Sequence, residues 1–256
     1  MYVTAGDPSL SRSLEILHLL VDAGVDIIEV GFPFSDPILD GPVIQQANRR
    51  ALNSGGSLQA TLNLVREFRK SDNISPIILM GYYNPIYAMG PKQFAIAAAS
   101  SGVDGVIVAD LPLQESLEDL LPYLAERGLV QIPLSSPPLP ATDIITERPG
   151  LGGFLYCVPI VGPTGGAAAS IETISLEVAR CRKMTNLPVG VGFGVKTPAA
   201  AGDISMVADA VIIGNALVAS IANWQNEGKT SRECDQQLRE FVGGFRAAMD
   251  TSRLAD

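Results

Sequence analysis

The chain has 256 residues, 47% of them hydrophobic and 18% charged, with 27 Asp and Glu against 18 Lys and Arg and a formal net charge of -9. This composition suits a globular chain with a large buried sheet, and it excludes the clustered basic surface that nucleic acid or anionic lipid requires. The cysteines Cys157, Cys181 and Cys234 lack the pairing and spacing of a disulfide framework or zinc site, and no apolar stretch reaches the roughly 18 residues of a membrane span. A strand-like segment follows Met1 almost at once, without a charged leader, so a cytoplasmic protein is expected, with a plastid location left open.

In chain order, short apolar and β-branched runs predict strands at 2–4, 27–30, 77–80, 105–108, 129–134, 154–158, 189–191 and 210–213. Pro133 weakens the fifth. Amphipathic stretches lie between them, such as Leu14, Leu17 and Val21 ending at Gly24, and Leu58, Leu62 and Val65 running into the charges at 66–70. Runs apolar on both faces indicate parallel strands covered on both sides, and eight βα units close into a barrel. The expected fold class is α/β, a single (β/α)8 TIM barrel domain over 1–256. A doubly wound open sheet fits less well, because no Gly-x-Gly-x-x-Gly turn follows the first strand.

Active sites of such barrels occupy the C-terminal rim, so the residues just after each strand carry the chemistry. Carboxylates dominate there: Asp7 after the first strand, Glu29 and then Asp36 and Asp40 at the second, and Asp110 after the fourth. The one histidine, His18, sits mid-helix and reads as structural, so histidine triads and His-rich metal sites have no material. Glu29 ends an otherwise apolar strand, where desolvation raises a carboxyl pKa toward the range of acid/base work. Asp40 follows eleven residues later in a loop stiffened by Pro33, Pro37 and Pro42, which could hold it across a pocket from Glu29. Asp36 is its rival, although Asp36-Pro37 has the look of a turn.

Glycines follow the last three predicted strands: Gly162-Pro-Thr-Gly165-Gly166, Gly192-Phe-Gly194 and Gly214-Asn215. Barrel enzymes hold phosphates on such loops through backbone N–H groups and a helix N-terminus, which lets an acidic protein bind an anion. Lys196 supports a rival chemistry, a Schiff base with a substrate carbonyl.

The segment Glu29-Val-Gly-Phe-Pro-Phe-Ser-Asp-Pro-Ile-Leu-Asp-Gly-Pro42 closely resembles the signature of the tryptophan synthase α subunit family. Thr4-Ala-Gly-Asp-Pro8, Met80-Gly-Tyr-Tyr-Asn-Pro85, Val108-Ala-Asp-Leu-Pro112 and Gly192-Phe-Gly-Val195 extend the resemblance along most of the chain. It implies a lyase that cleaves indole-3-glycerol phosphate into indole and glyceraldehyde 3-phosphate without cofactor or metal. It also implies a pyridoxal-phosphate β subunit as partner, in an α2β2 assembly. By resemblance Glu29 exchanges the protons and Asp40 stabilises charge at the indole N–H. Tyr2, Tyr82, Tyr156 and Phe193 would line the indole pocket, Gly165, Gly194, Gly214 and Asn215 would cradle the phosphate, and Thr164 would belong to a closing loop.

The chain departs from the family at Pro159 and Pro163, which replace Ser and Val and should stiffen the closing loop, and at Asn215, where Ser is usual. The family begins with a floor helix ahead of the first strand that these 256 residues do not include, which implies either a truncated chain or another surface over the barrel floor, and reduced stability in isolation is expected. Two alternatives to a partnered lyase stand beside it: an α-like regulatory subunit with weak or no catalysis, and a stand-alone lyase releasing indole in specialised metabolism.

Overall fold

In a computed structural model, residues 1–135, 148–159, 170–192 and 194–254 are described. The chain opens with β1 (Tyr2–Thr4), α1 (Leu10–Asp22), β2 (Ile28–Gly31), α2 (Pro42–Asn53), α3 (Leu58–Phe68) and β3 (Ile77–Gly81). It continues through α4 (Tyr83–Met89), α5 (Pro91–Ser101), β4 (Gly105–Val108), α6 (Leu113–Asp119), α7 (Leu121–Ala125), β5 (Val130–Gln131) and β6 (Leu134–Ser135). The rest comprises β7 (Leu155–Cys157), α8 (Ile171–Cys181), β8 (Val189–Val191), α9 (Pro198–Ser205), β9 (Ala210–Val211), α10 (Asn215–Asn226) and α11 (Ser231–Leu254).

All named strand pairs are parallel, in the orders β1-β2-β3-β4-β5 and β6-β7-β8-β9. The two runs are one barrel. Tyr2 N–H donates to the Ile213 carbonyl at 3.0 Å, which closes the last strand on the first. The predicted strand at 129–134 is present as β5 and β6, split around Pro133, which has no N–H to donate. Hydrogen bonds nevertheless run across the split, from Ile132 N–H to Val106 O at 2.9 Å and from Tyr156 N–H to Pro133 O at 2.9 Å. These eight staves make a (β/α)8 barrel.

Alternation along each strand sorts side chains into two layers. Val3, Ile28, Val30, Ile77 and Leu79 point outward into a core shared with α1, α3 and α5, which contribute Leu17, Leu62, Val65 and Phe94. Val189, Val191 and Leu155 do the same against Ile174 and Val178 of α8. The inward positions form a separate cluster of Ile78, Ile107, Ile132, Phe154, Tyr156 and Ile212, which fills the barrel. Ser9, Ser57, Ser170 and Thr197 cap α1, α3, α8 and α9, each side-chain oxygen accepting an orphan N–H of the first turn. His18 is structural, stacked on Phe68 at 4.8 Å. All three cysteines are unpaired, and no helix among the described residues is long and apolar enough to cross a membrane.

Candidate active site

Glu29 reaches the barrel interior through strand register. In β2 the outward residues are Ile28 and Val30, so Glu29 and Gly31 face inward, and Glu29 stands level with Tyr2 on one side and Ile78 on the other. It is 2% exposed, and its Oε2 is buried without a hydrogen-bond partner among the described residues. Burial pushes its pKa up to about 7, and the positive Met1 amino group offsets this only in part. A carboxyl so poised gives and takes a proton at neutral pH with similar ease.

The other rim carboxylates separate by their partners. Asp7, 7% exposed, is neutralised by a two-pronged contact with Arg50, Nε to Oδ1 and Nη2 to Oδ2, both 2.8 Å. Asp110 accepts the N–H of Tyr83 at 2.7 Å, at the start of α4. Asp36 is exposed and takes a hydrogen bond from Ser35, within the turn in which Ile38 N–H donates to the Asp36 carbonyl. Asp40 is half-buried and forms no ion pair among the described residues. Desolvation raises its pKa to about 6 against a lowering hydrogen bond from Tyr82.

The two carboxylates act on the same tyrosines. Burial and then the charge of Asp40 raise the pKa of Tyr2, with Glu29 adding to it; for Tyr156 the order is burial, Glu29, Tyr2 and Asp40. Glycines make room for these rings. A Cβ on Gly31 would lie 2.1 Å from the Tyr2 hydroxyl oxygen, and one on Gly192 would lie 2.2 Å from that of Tyr156. The Tyr156 hydroxyl donates to the Gly192 carbonyl at 3.1 Å, and that of Tyr2 pairs with Thr4 Oγ1 at 3.2 Å. Tyr82, buried at the N-cap of α4, accepts the N–H of Leu39 at 3.0 Å and so touches the Asp40 loop directly. Glu29, Asp40 and the three tyrosines are therefore close enough to act on one another, a set of groups suited to acid/base chemistry beside a flat apolar ring.

A family model described as tryptophan synthase alpha chain matches residues 1–250. The chain belongs to the tryptophan synthase alpha chain family. The tryptophan synthase alpha chain of Thioalkalivibrio sulfidiphilus (strain HL-EbGR7) is 43% identical to it over 249 residues, 97% of this chain and 92% of the relative. Tryptophan synthase subunit alpha from Legionella pneumophila str. Paris is similar with a TM-score of 0.89 at 36% identity, over 98% of this chain and 91% of that one. A chain from the tryptophan synthase a2b2 complex of Pyrococcus furiosus is similar with a TM-score of 0.80 at 33% identity, over 96% of each.

In this member of the alpha chain family, Gly194 follows β8 in a left-handed conformation, φ +73°, that glycine adopts without strain. Gly214 is the N-cap of α10, with no side-chain cap, and Asn215 is the first, exposed residue of that helix. Its Nδ2 lies 3.7 Å from where a Cβ on Gly41 would stand, so the N-terminus of α10 adjoins the Asp40 loop. Thr164, Gly165, Pro163 and Phe193 lie outside the described residues. Lys196 is exposed, whereas a Schiff-base lysine is activated by desolvation or a neighbouring cation. Sequence reasoning passed over Gln45, Asn48 and Arg50 of α2. The available signal was Asn48 standing on the helix face formed by Ile44, Ala47 and Ala51, where a polar residue needs a reason.

Proposed function

We propose that residues 1–256 act as one barrel domain that cleaves indole-3-glycerol phosphate into indole and glyceraldehyde 3-phosphate, with Glu29 and Asp40 as its catalytic residues. The observation that carries the reading is Glu29 itself, a buried carboxyl with a pKa of about 7 on the inner wall of a barrel, its Oε2 without a hydrogen-bond partner among the described residues.

Protonated Glu29 delivers its proton to indole C3, leaving a cation whose ring N–H donates to ionised Asp40. Glu29, now a carboxylate, takes the proton of the adjacent glycerol hydroxyl. The C–C bond breaks, its electron pair returns to the ring to give indole, and the hydroxyl carbon becomes the aldehyde. The proton count on Glu29 is restored, and Asp40 contributes fixed charge where positive charge develops. Tyr2, Tyr82, Tyr156 and Phe193 take the roles of indole lining. For the phosphate we assign Gly165, Gly194, Gly214 and Asn215, with Thr164 in the closing loop. The uncapped N-terminus of α10 supports that part, since free N–H groups and the helix dipole favour an anion.

Membership of the alpha chain family and likeness to a chain of an a2b2 complex support a β-subunit partner that consumes the indole. A phosphorylated substrate, costly to move through a bilayer, favours the cytoplasm. The test is indole release from indole-3-glycerol phosphate with and without a β subunit. Glu29→Gln is expected to abolish cleavage by the pair while inorganic phosphate still binds. Undiminished turnover in that variant would end the proposal.

A further inference from the structure

Asp40 belongs to the segment 32–41 between β2 and α2, and side chains outside that segment hold its backbone at three points. Asn48 of α2 is 4% exposed; its Oδ1 accepts the N–H of Phe34 at 2.9 Å and its Nδ2 donates to the Ile44 carbonyl at 2.9 Å. Gln45, three residues earlier on the same helix, donates from Nε2 to the carbonyl of Asp40 itself at 2.9 Å. From the other side, Tyr82 accepts the N–H of Leu39 at 3.0 Å. The Phe34 and Tyr82 rings pack 5.4 Å apart, so the Asn48 and Tyr82 attachments support one another.

Residues three apart on a helix share a face, so Gln45 and Asn48 fasten both ends of the segment to one surface of α2. The C-terminal end of the helix is itself anchored, by Arg50 on Asp7 and by the hydroxyl of the C-cap Ser54 on the Gly6 carbonyl. A buried amide in a helix is costly unless both its ends are satisfied, and those of Asn48 are satisfied by the loop and by its own helix.

We propose that Gln45 and Asn48 are positioning residues for Asp40, holding segment 32–41 so that the Asp40 carboxyl is set at the mouth of the barrel before substrate arrives. The assignment rests on reading Asp40 as the charge-stabilising group. A carboxylate aimed in advance loses nothing to reorganisation during the reaction, and a misplacement of about 1 Å costs on the order of a hundredfold in rate. Among the described residues, the titratable groups that interact with Asp40 are the hydroxyls of Tyr82, Tyr2 and Tyr156. If the segment loosens, the carboxyl moves toward water and its titration falls from about 6 toward the ordinary 3.8.

The experiment uses the full chain as wild type, Gln45→Met, Asn48→Leu and Asp40→Asn, the last to assign the Asp40 signal. Steady-state cleavage of indole-3-glycerol phosphate is measured beside a carbon-13 carboxyl NMR titration of Asp40. We expect kcat to fall by about ten- to a hundredfold with KM nearly constant, and the titration midpoint to move downward, in both positioning variants. Lower stability with an unmoved Asp40 titration would make the contacts a fastening of the fold and overturn the inference. So would unchanged kcat and titration in Gln45→Met, which serves alone if Asn48→Leu does not fold. A wild type that cleaves nothing, with the titration still moved in the variants, would leave the positioning intact and sink the catalytic reading instead.

Discussion

A carboxyl group that is 2% exposed, level with Tyr2 and Ile78, ionises only against a desolvation cost, and in Glu29 that cost is measurable in stability. Its pKa rises from 4.5 to about 7 on folding. Between those values the folded chain keeps a proton that the unfolded chain has released, so stability falls as pH rises through the window, and the full penalty is present above it. At about 1.36 kcal/mol per pKa unit the penalty is roughly 3 kcal/mol. Glu29→Gln is therefore expected to be inactive yet more stable than wild type by up to that amount at pH 8, with a smaller advantage at pH 5.5. Urea midpoints at the two pH values decide it, because a gap that does not widen with pH contradicts the assigned titration. In the proposed reaction the same residue would trade stability for proton transfer, as active-site groups commonly do.

At the scale of the element, α2 links the site to the scaffold. Pro42 at its first turn fits the missing N–H to a position that lacks an intrahelical partner, and Gly41 as N-cap brings the helix up immediately behind Asp40. Ile44 and Ala47 pack against Val218 of α10, so the helix after Asp40 and the helix after Gly214 share an apolar contact. The far end is held by the Arg50 fork on Asp7, whose side chain is 5% exposed while that of Arg50 is 35% exposed. Arg50→Met would leave the Asp7 carboxylate buried without its cation. Because Arg50 is partly solvated, we expect a loss of about 1–3 kcal/mol, below that of a fully buried pair, with Arg50→Lys intermediate. Thermal unfolding of the three proteins checks this, and equal midpoints for wild type and Arg50→Met would show that the pair contributes nothing.

Across the whole molecule the barrel is uneven. β2, β3 and β4 form a continuous ladder of four- and five-residue strands, whereas the stave from 130 to 135 consists of two-residue segments around Pro133. Local opening concentrates where few backbone hydrogen bonds must break. Native-state hydrogen exchange is accordingly expected to be slowest in Ile77–Gly81 and Gly105–Val108 and faster at Val130, Gln131 and Leu134. Protection at these three amides equal to that of β3 would show a uniformly cooperative barrel.

The sequence by itself determined the strand order and the parallel, doubly covered sheet, because that information is local. β4 and β8 occupy the predicted 105–108 and 189–191, where β-branched runs are bounded by turn residues, and the register that turns Glu29 inward follows from its apolar neighbours Ile28 and Val30. The weakness of the fifth strand at Pro133 was likewise legible from its missing N–H, although its division into β5 and β6 was not. Only the tertiary structure decided among the carboxylates. Asp7, Asp36, Asp40 and Asp110 look alike as acidic residues in proline-rich rim loops, and what separates them is a partner distant in the chain. Arg50, 43 residues on, neutralises Asp7, and the Tyr83 amide, 27 residues back, occupies Asp110. Asp36 is left to solvent, and Asp40 is held by Gln45 and faces Tyr82. A pKa depends on burial and on neighbours brought together by folding, so which acid titrates near neutral pH is a property of packing that no local pattern carries.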